Sequence, residues 1–419
     1  MKLLINLCAQ DGIISHNSGV GTMVKRYIYV FTKLFEEKNI DYKINLFTPE
    51  YNADGFGYSS ETKEHNSNLK NIEIYELSNG TNGKKFFGTK ENWEILSKNV
   101  ADVINSINFK EYDYVLTLLN DTPFGGVLPF SRNKDNHIKV WIPHSTAKIH
   151  MDKELCTNEE EKIKRINWEN DAVNFINKND NAYMGVVGEY IKNHLINEYS
   201  LNKEKIISIF NGEILSIPTI YEENDECKNL YDKLDKSKDI LLSFGRPEKY
   251  KNLDSAIKLS EKLNIPSIII TQEYFKDMPY VNELRELAKK FNTNLFINVP
   301  FNFPQYIIKH YPQKIILLIP SKKEIAGLVI NEIRKINKSN ILIVANNIDG
   351  LNEQIEDTKD GILVNMDNLE ESALKIKKYF NSKDIIRINN NSLATLENKY
   401  DFEMICNNFL KKLIGDMYE

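Results

Sequence analysis

Cysteine is scarce and scattered in this chain of 419 residues. Cys8, Cys156, Cys227 and Cys406 show no metal-ligand or CxxC spacing, so they read as reduced thiols and argue against a disulfide scaffold or a zinc module. Long apolar runs are missing too: no stretch approaches the about eighteen residues that a membrane-spanning helix needs. The opening run Met1–Ala9 meets Gln10 and Asp11 at once, too short for a signal peptide, and reads as a buried first strand. Charge of one sign is also lacking. Fifty-four basic against fifty-nine acidic side chains leave a net charge of −5, with no electrostatic footprint for nucleic acid. The cytoplasm is the expected location; peripheral contact with a membrane and the oligomeric state stay open.

What is present is an alternation of strand and helix, twice over. The length exceeds one usual hydrophobic core, so two domains of about 200 residues are expected. The first half has apolar runs at Leu3–Leu7, Tyr42–Phe47, Ile72–Tyr75, Tyr114–Leu119, Ile138–Ile142, Tyr183–Val187 and Lys205–Phe210. A helix with Val24, Tyr27, Ile28, Phe31, Leu34 and Phe35 on one face follows the first. Between Tyr51 and Trp93 the pattern fails, and long loops with one strand are expected. The second half repeats the rhythm with strands at Ile240–Phe244, Ser267–Thr271, Leu295–Val299, Ile315–Ile319, Ile341–Val344 and Ile362–Val364. The fold class is α/β: two Rossmann-like doubly wound domains facing a cleft. Expected boundaries are 1–214, a polar linker 215–238 holding Pro218, Glu222 and Glu223, a domain 239–395, and a helix 396–419 packing back on the first domain.

Candidate site residues sit at strand ends, where open α/β sheets bind ligands. Glu324 and Glu332 follow the strand Ile315–Ile319. Eight residues put them about 80° apart on a helix, so they matter as loop and helix positions rather than as one helical face. Carboxylates there suit vicinal hydroxyls of a ribose or pyranose. Arg246 and Lys251 follow the strand Ile240–Phe244, where two cations could meet a diphosphate; Lys249 could replace Lys251. Ser18-Gly19-Val20-Gly21-Thr22 lies before the first helix, and glycines there let a backbone approach an anion. His144 ends the strand Ile138–Ile142 and could bond a sugar hydroxyl. His16 beside the glycine loop has the plainer reading of a satisfied polar residue. The third glycine of a dinucleotide fingerprint is missing and no acidic residue stands out at the end of the second strand, which disfavours a nicotinamide enzyme.

Taken together, Gly245-Arg246 with Lys251, Pro320-Ser321 before Glu324, seven residues between Glu324 and Glu332, and Asp349-Gly350-Leu351-Asn352-Glu353 resemble the retaining GT-B glycosyltransferases of family 4, also called glycosyl transferases group 1. Gly19-Val20-Gly21-Thr22, His144, Val187-Gly188-Glu189 and Asn211-Gly212-Glu213 agree. The resemblance implies that Glu332 holds ribose hydroxyls, Glu324 the donor sugar, and Arg246 and Lys251 the departing diphosphate. It further implies that Gly19 and Gly21 approach the phosphates, that backbone N–H groups of Ala326, Gly327 and Leu328 add to anion binding, and that His144 meets the donor sugar. No metal and no cofactor beyond the nucleotide diphosphate sugar are expected, with a uridine donor favoured by frequency in the family. The acceptor would be a glycan or small molecule, bound by loops in which Tyr51, Asp54, Phe56, Tyr58 and Trp93 are candidates. Departures include Asn252 where the family usually has glycine. A nucleotide-sugar epimerase and a non-catalytic glycan-binding homologue are the alternatives.

Overall fold

The computed structural model describes all residues apart from 16–17, 54–56, 85–86, 152–157, 218–223, 337 and 419. His16, Asp54, Phe56, Cys156 and the linker residues Pro218, Glu222 and Glu223 therefore lie outside the described residues. The chain divides into two units, Met1–Ile214 with Phe402–Glu419, and Leu215–Asp401. Among the described residues no helix is long and apolar enough to cross a membrane.

The first unit runs β1 (Lys2–Cys8), α1 (Gly19–Glu37), β2 (Asp41–Pro49), α2 (Ser60–Ser67), β3 (Ile72–Leu77) and α3 (Lys90–Ser106). It continues with β4 (Tyr114–Asn120), α4 (Val127–Phe130), β5 (His137–Ile142), α5 (Ala147–His150), α6 (Glu159–Lys178), β6 (Ala182–Val186), α7 (Glu189–Tyr199) and β7 (Ile206–Ser208). The strands of its sheet pair in parallel, in the order β3-β2-β1-β4-β5-β6-β7. Winding reverses between β1 and β4, where Leu3 pairs with Tyr114 and Cys8 with Leu119. A parallel sheet covered on both faces needs apolar residues on both sides of each strand, and β1 is buried at every position after Lys2. The α1 face expected to be apolar is buried throughout.

One row of that sheet is polar instead. Asn45 of β2 donates to Asn6 of β1 at 3.1 Å, Asn6 donates to Thr117 of β4 at 3.2 Å, and Thr117 Oγ1 lies 2.8 Å from His137 Nε2 of β5. Each side chain is buried and makes at least one of these bonds, though Asn45 Oδ1 is left without a partner, so the row adds register specificity without burying a charge.

The loops expected over 51–93 prove more structured, because α2 carries no apolar stripe. Its buried positions are Thr62 and Asn66, and it is held by hydrogen bonds. Asn66 donates to the carbonyls of Gly12 (3.3 Å) and Ile13 (2.8 Å), and the Ser59 N–H donates to Ile14 O at 2.9 Å. Periodicity of hydrophobic residues cannot reveal such a helix.

The second unit runs α8 (Asp225–Asp232), β8 (Ile240–Phe244), α9 (Leu253–Leu263), β9 (Ser267–Thr271), α10 (Pro279–Lys290) and β10 (Thr293–Ile297). It ends with α11 (Phe303–His310), β11 (Ile315–Ile319), α12 (Leu328–Ile336), β12 (Ile341–Asn346), β13 (Ile362–Val364), α13 (Leu369–Phe380) and α14 (Asp384–Lys399). Its parallel sheet has the order β10-β9-β8-β11-β12-β13, with the reversal between β8 and β11. Alternation along each strand feeds two cores. Leu242, Leu317 and Ile343 join Phe303, Ile307 and Ile330 on one face, while Leu241, Leu318 and Leu342 join Leu253, Ile257 and Ile376 on the other.

Two expected boundaries shift. The stretch read as linker is, in α8 and just after it, part of the second unit's core, with Cys227, Tyr231 and Leu234 buried there. The final crossing falls at Asp401/Phe402 rather than at 395/396, because α14 stays with the second unit. The last helix, α15 (Phe402–Ile414), packs on α1 of the first unit. Phe402 lies 5.3 Å from the Tyr27 ring, and Lys33 pairs with Glu403 at 2.9 Å.

Candidate functional site

In the second unit the predicted cations and carboxylates stand at the carboxyl ends of adjacent strands, β8 and β11, on either side of the reversal. Lys251 Nζ donates to Glu324 Oε2 at 2.7 Å, each side chain being about one-fifth exposed. Arg246 is more open. Its guanidinium donates to the Tyr250 phenol at 2.5 Å and meets Glu248 at 3.6 Å. Lys249 turns away, pairing with Glu283 of α10 and lying 4.6 Å over the Tyr280 ring, so Lys251 and not Lys249 reaches the carboxylate.

Local backbone chemistry ties these loops together. Asn252 has a left-handed backbone (φ 57°) that asparagine tolerates better than other side-chain-bearing residues, which accounts for its standing where glycine is usual. Its amide also bonds Pro320 O at 3.1 Å, linking the β8 loop to the end of β11. The Lys322 N–H donates to Tyr250 O at 2.7 Å, a second link. Gly350, also left-handed (φ 81°), backs so closely against the chain at Glu324 that a Cβ there would overlap Glu324 O. Gly327 is buried against Leu351, where a Cβ would meet Leu351 Cδ2 at 2.9 Å. Ala326 and Gly327 precede α12, and Leu328 is its first residue. Glu332, half-buried, lies one turn into that helix.

The first unit gathers its candidates at the ends of β1, β4 and β5. Ser18 caps α1, its hydroxyl accepting from Gly21 N–H at 3.0 Å and donating to Asp11 at 2.7 Å. Gly21 is buried against the loop itself: a Cβ would meet Gly12 N at 3.0 Å and Asp11 Cβ at 3.1 Å. The loop's own closure thus uses the glycine at 21, while Gly19 is exposed at the helix start. His144 Nε2 lies 3.1 Å from Asn120 Oδ1, and the Asn120 amide nitrogen donates to Cys8 O at 3.2 Å. That orientation puts the proton on Nε2 and leaves Nδ1 as an acceptor. Burial lowers the His144 pKa to about 4, so the ring is neutral near neutral pH.

Sequence reasoning missed the groups beneath this loop. Glu169, fully buried on α6, accepts from Ala147 N–H (3.1 and 3.0 Å), the Tyr199 phenol (2.6 Å) and Arg165 Nε (2.8 Å). Arg165 reaches on to Ser145 Oγ at 2.8 Å. In the sequence this is an i,i+4 pair like any solvated one, and nothing marks it as the anchor of residues 145–147. Asp121 was missed as well. It follows β4 with a left-handed backbone (φ 68°), and burial raises its carboxyl pKa to about 6.

Residues 231–393 match the model of the family described as glycosyl transferases group 1. This stretch is a glycosyl transferases group 1 domain. By fold, the whole chain is similar to a sucrose-phosphate synthase from Thermosynechococcus elongatus, with TM-score 0.73, 13% identity and 99% of each chain covered. A glycosyltransferase from Rickettsia africae gives TM-score 0.68 at 15% identity over 99% of each chain. Anabaena Alr3699/HepE, solved in complex with UDP-glucose, gives 0.66 at 15% identity over 98% of this chain and 99% of that one. No curated protein matches by sequence. The chain therefore has the GT-B glycosyltransferase fold, with its group 1 domain in the second unit.

Proposed function

We propose that the protein is a retaining glycosyltransferase that moves a sugar from a nucleotide diphosphate sugar, uridine-linked by expectation, to a hydroxyl of a glycan or small-molecule acceptor, without a metal. The observation that carries this reading is the Lys251–Glu324 contact beside Arg246. Charge that develops on a departing diphosphate is stabilised by preset cations, and a carboxylate suits sugar hydroxyls. Arg246 and Lys251 take the diphosphate, and Glu324 exchanges part of its contact with Lys251 for hydroxyls of the transferred sugar. Glu332 accepts from the ribose, and N–H groups at Ala326, Gly327 and Leu328 complete the anion site where α12 begins. Gly19 and Gly21 serve the phosphates from the α1 turn, and His144 Nδ1 accepts from a sugar hydroxyl.

Two similar structures support the uridine donor: Alr3699/HepE is described with UDP and glucose, and an E. coli protein described as trehalose-6-phosphate with UDP-2-fluoro glucose. The cytoplasm, where such donors are made, is the proposed location. A thermal-shift screen of nucleotide sugars tests the reading first, since a ligand that binds only the folded state raises the melting temperature. A uridine diphosphate sugar should stabilise the protein, and transfer should persist in a chelator with the anomeric configuration kept. Indifference to every nucleotide sugar, or an inverted product, would overturn it.

A further inference from the structure

Tyr250 touches both cations of the site and the loop that carries its carboxylate, yet no role has been given to it. Its phenol oxygen accepts from Arg246 Nη2. Its ring lies 5.4 Å below Lys251 Nζ, within the range at which a cation is drawn to an aromatic face. Its carbonyl accepts from Lys322 N–H at 2.7 Å, two residues before Glu324. Arg246 needs such a contact, because its side chain is 59% exposed and Glu248 at 3.6 Å is too far for a strong hydrogen bond. An arginine on an open surface samples many rotamers, and each must be given up when the guanidinium meets a ligand.

We propose that Tyr250 is a positioning residue that presets the Arg246 guanidinium for the departing diphosphate and joins it to the loop of Glu324. The inference rests on the glycosyltransferase reading above. The phenol fixes one nitrogen of the planar guanidinium, which leaves the other N–H groups of the fork for phosphate oxygens. The ring meanwhile keeps Lys251 near Glu324, so the two cations are presented as a pair. The link through Lys322 N–H makes the β8 loop and the β11 loop move as one body.

The test is Tyr250→Phe, which keeps the ring under Lys251 and deletes the phenol's bond to Arg246. Its melting temperature should stay at the wild-type value. A lost hydrogen bond to a charged group should lower kcat for sugar transfer about tenfold, with the acceptor KM unchanged. In an Arg246→Met background the same substitution should have no further effect, because a residue acting through Arg246 has nothing left to position. Wild-type kcat in the Phe variant, or the same loss with and without Arg246, would overturn the proposal. Calorimetric affinity for uridine diphosphate reads the same coupling without transfer. A wild-type protein that binds the nucleotide yet transfers no sugar defeats the functional reading alone. Tyr250 is then decided by whether the Phe variant weakens nucleotide binding only when Arg246 is present. Failure of the wild type to bind either uridine diphosphate or pyrophosphate overturns both.

Discussion

Lys251 and Glu324 are joined by a 2.7 Å ion pair that bridges the ends of β8 and β11. At this exposure such a pair is worth under about 1 kcal/mol of stability. Under the proposed function its importance lies in chemistry: it would hold a cation and a carboxylate together until a diphosphate sugar separated their tasks. Lys251→Met should therefore leave the melting temperature nearly unchanged while lowering kcat by about 10²–10³, the scale for removing one transition-state stabiliser. Transfer retained to within about threefold would remove Lys251 from the mechanism.

Gly350 offers a sharper structural test. Its left-handed backbone and the overlap that an added methyl would make with Glu324 O leave no room for a side chain. Gly350→Ala should destabilise the second unit by about 2 kcal/mol or more and displace the Glu324 loop. Gly245→Ala is the control, since the nearest atom to its added Cβ is Lys251 Cγ at 3.7 Å. Equal denaturation midpoints for the two variants would show that the Gly350 approach does not constrain the loop.

Much of the architecture was legible because buried parallel strands write themselves as apolar runs, and two parallel sheets follow from the βαβ rhythm. The clustering of the second unit's candidate residues was legible in part because Arg246, Lys251 and Glu324 are charged residues placed after such runs. Apart from the short apolar face of α8, what stayed hidden shares one cause: it is built from polar contacts without periodicity. Helix α2 is fastened through Thr62 and Asn66, the loop after His144 hangs from Glu169, and Tyr250 looks like any tyrosine in a basic turn. The competition between Lys249 and Lys251 could be settled only by geometry, since one turn of backbone decides which ammonium reaches Glu324 and which reaches Glu283.

Arg334, on α12 two residues after Glu332, forms a buried pair with Asp360 at 3.1 Å and also bonds Gln354 O (2.7 Å) and Ser392 Oγ (3.0 Å). It fastens the helix carrying Glu332 to the segment before β13 and to α14. Removing one partner of a buried pair leaves an uncompensated charge, so Arg334→Met should lower stability by about 3–5 kcal/mol. The double variant Arg334→Met, Asp360→Leu should recover most of that loss in a urea titration followed by circular dichroism. A double variant no more stable than the single one would mean that the hydrogen-bonded hub around Arg334, rather than charge balance, holds α12.

His137 should govern the acid sensitivity of the first unit. Burial, with the nearby Lys139 charge, lowers its pKa to about 3, and its ring is fully buried between Thr117 Oγ1 and Arg132 O. The unfolded chain binds a proton near pH 6.5. The neutral ring thus contributes stability that is complete above that pH and is lost as pH falls toward about 3, at about 1.4 kcal/mol per pH unit. His144, lowered to about 4, acts in the same direction. Asp121 acts oppositely: its carboxyl, raised to about 6, contributes stability below its unfolded pKa that is lost as pH rises through 6. Those two neighbours oppose each other between pH 4 and 6, while His194, also lowered by burial, adds to the acid loss that His137 contributes. The three tryptophans, Trp93, Trp141 and Trp168, all lie in the first unit, so fluorescence follows its unfolding alone. Between pH 6.5 and 5 His137 should cost the wild-type first unit about 2 kcal/mol in urea titrations, and His137→Gln should remove that share of the acid loss. An identical pH dependence in the two proteins would place the acid trigger elsewhere.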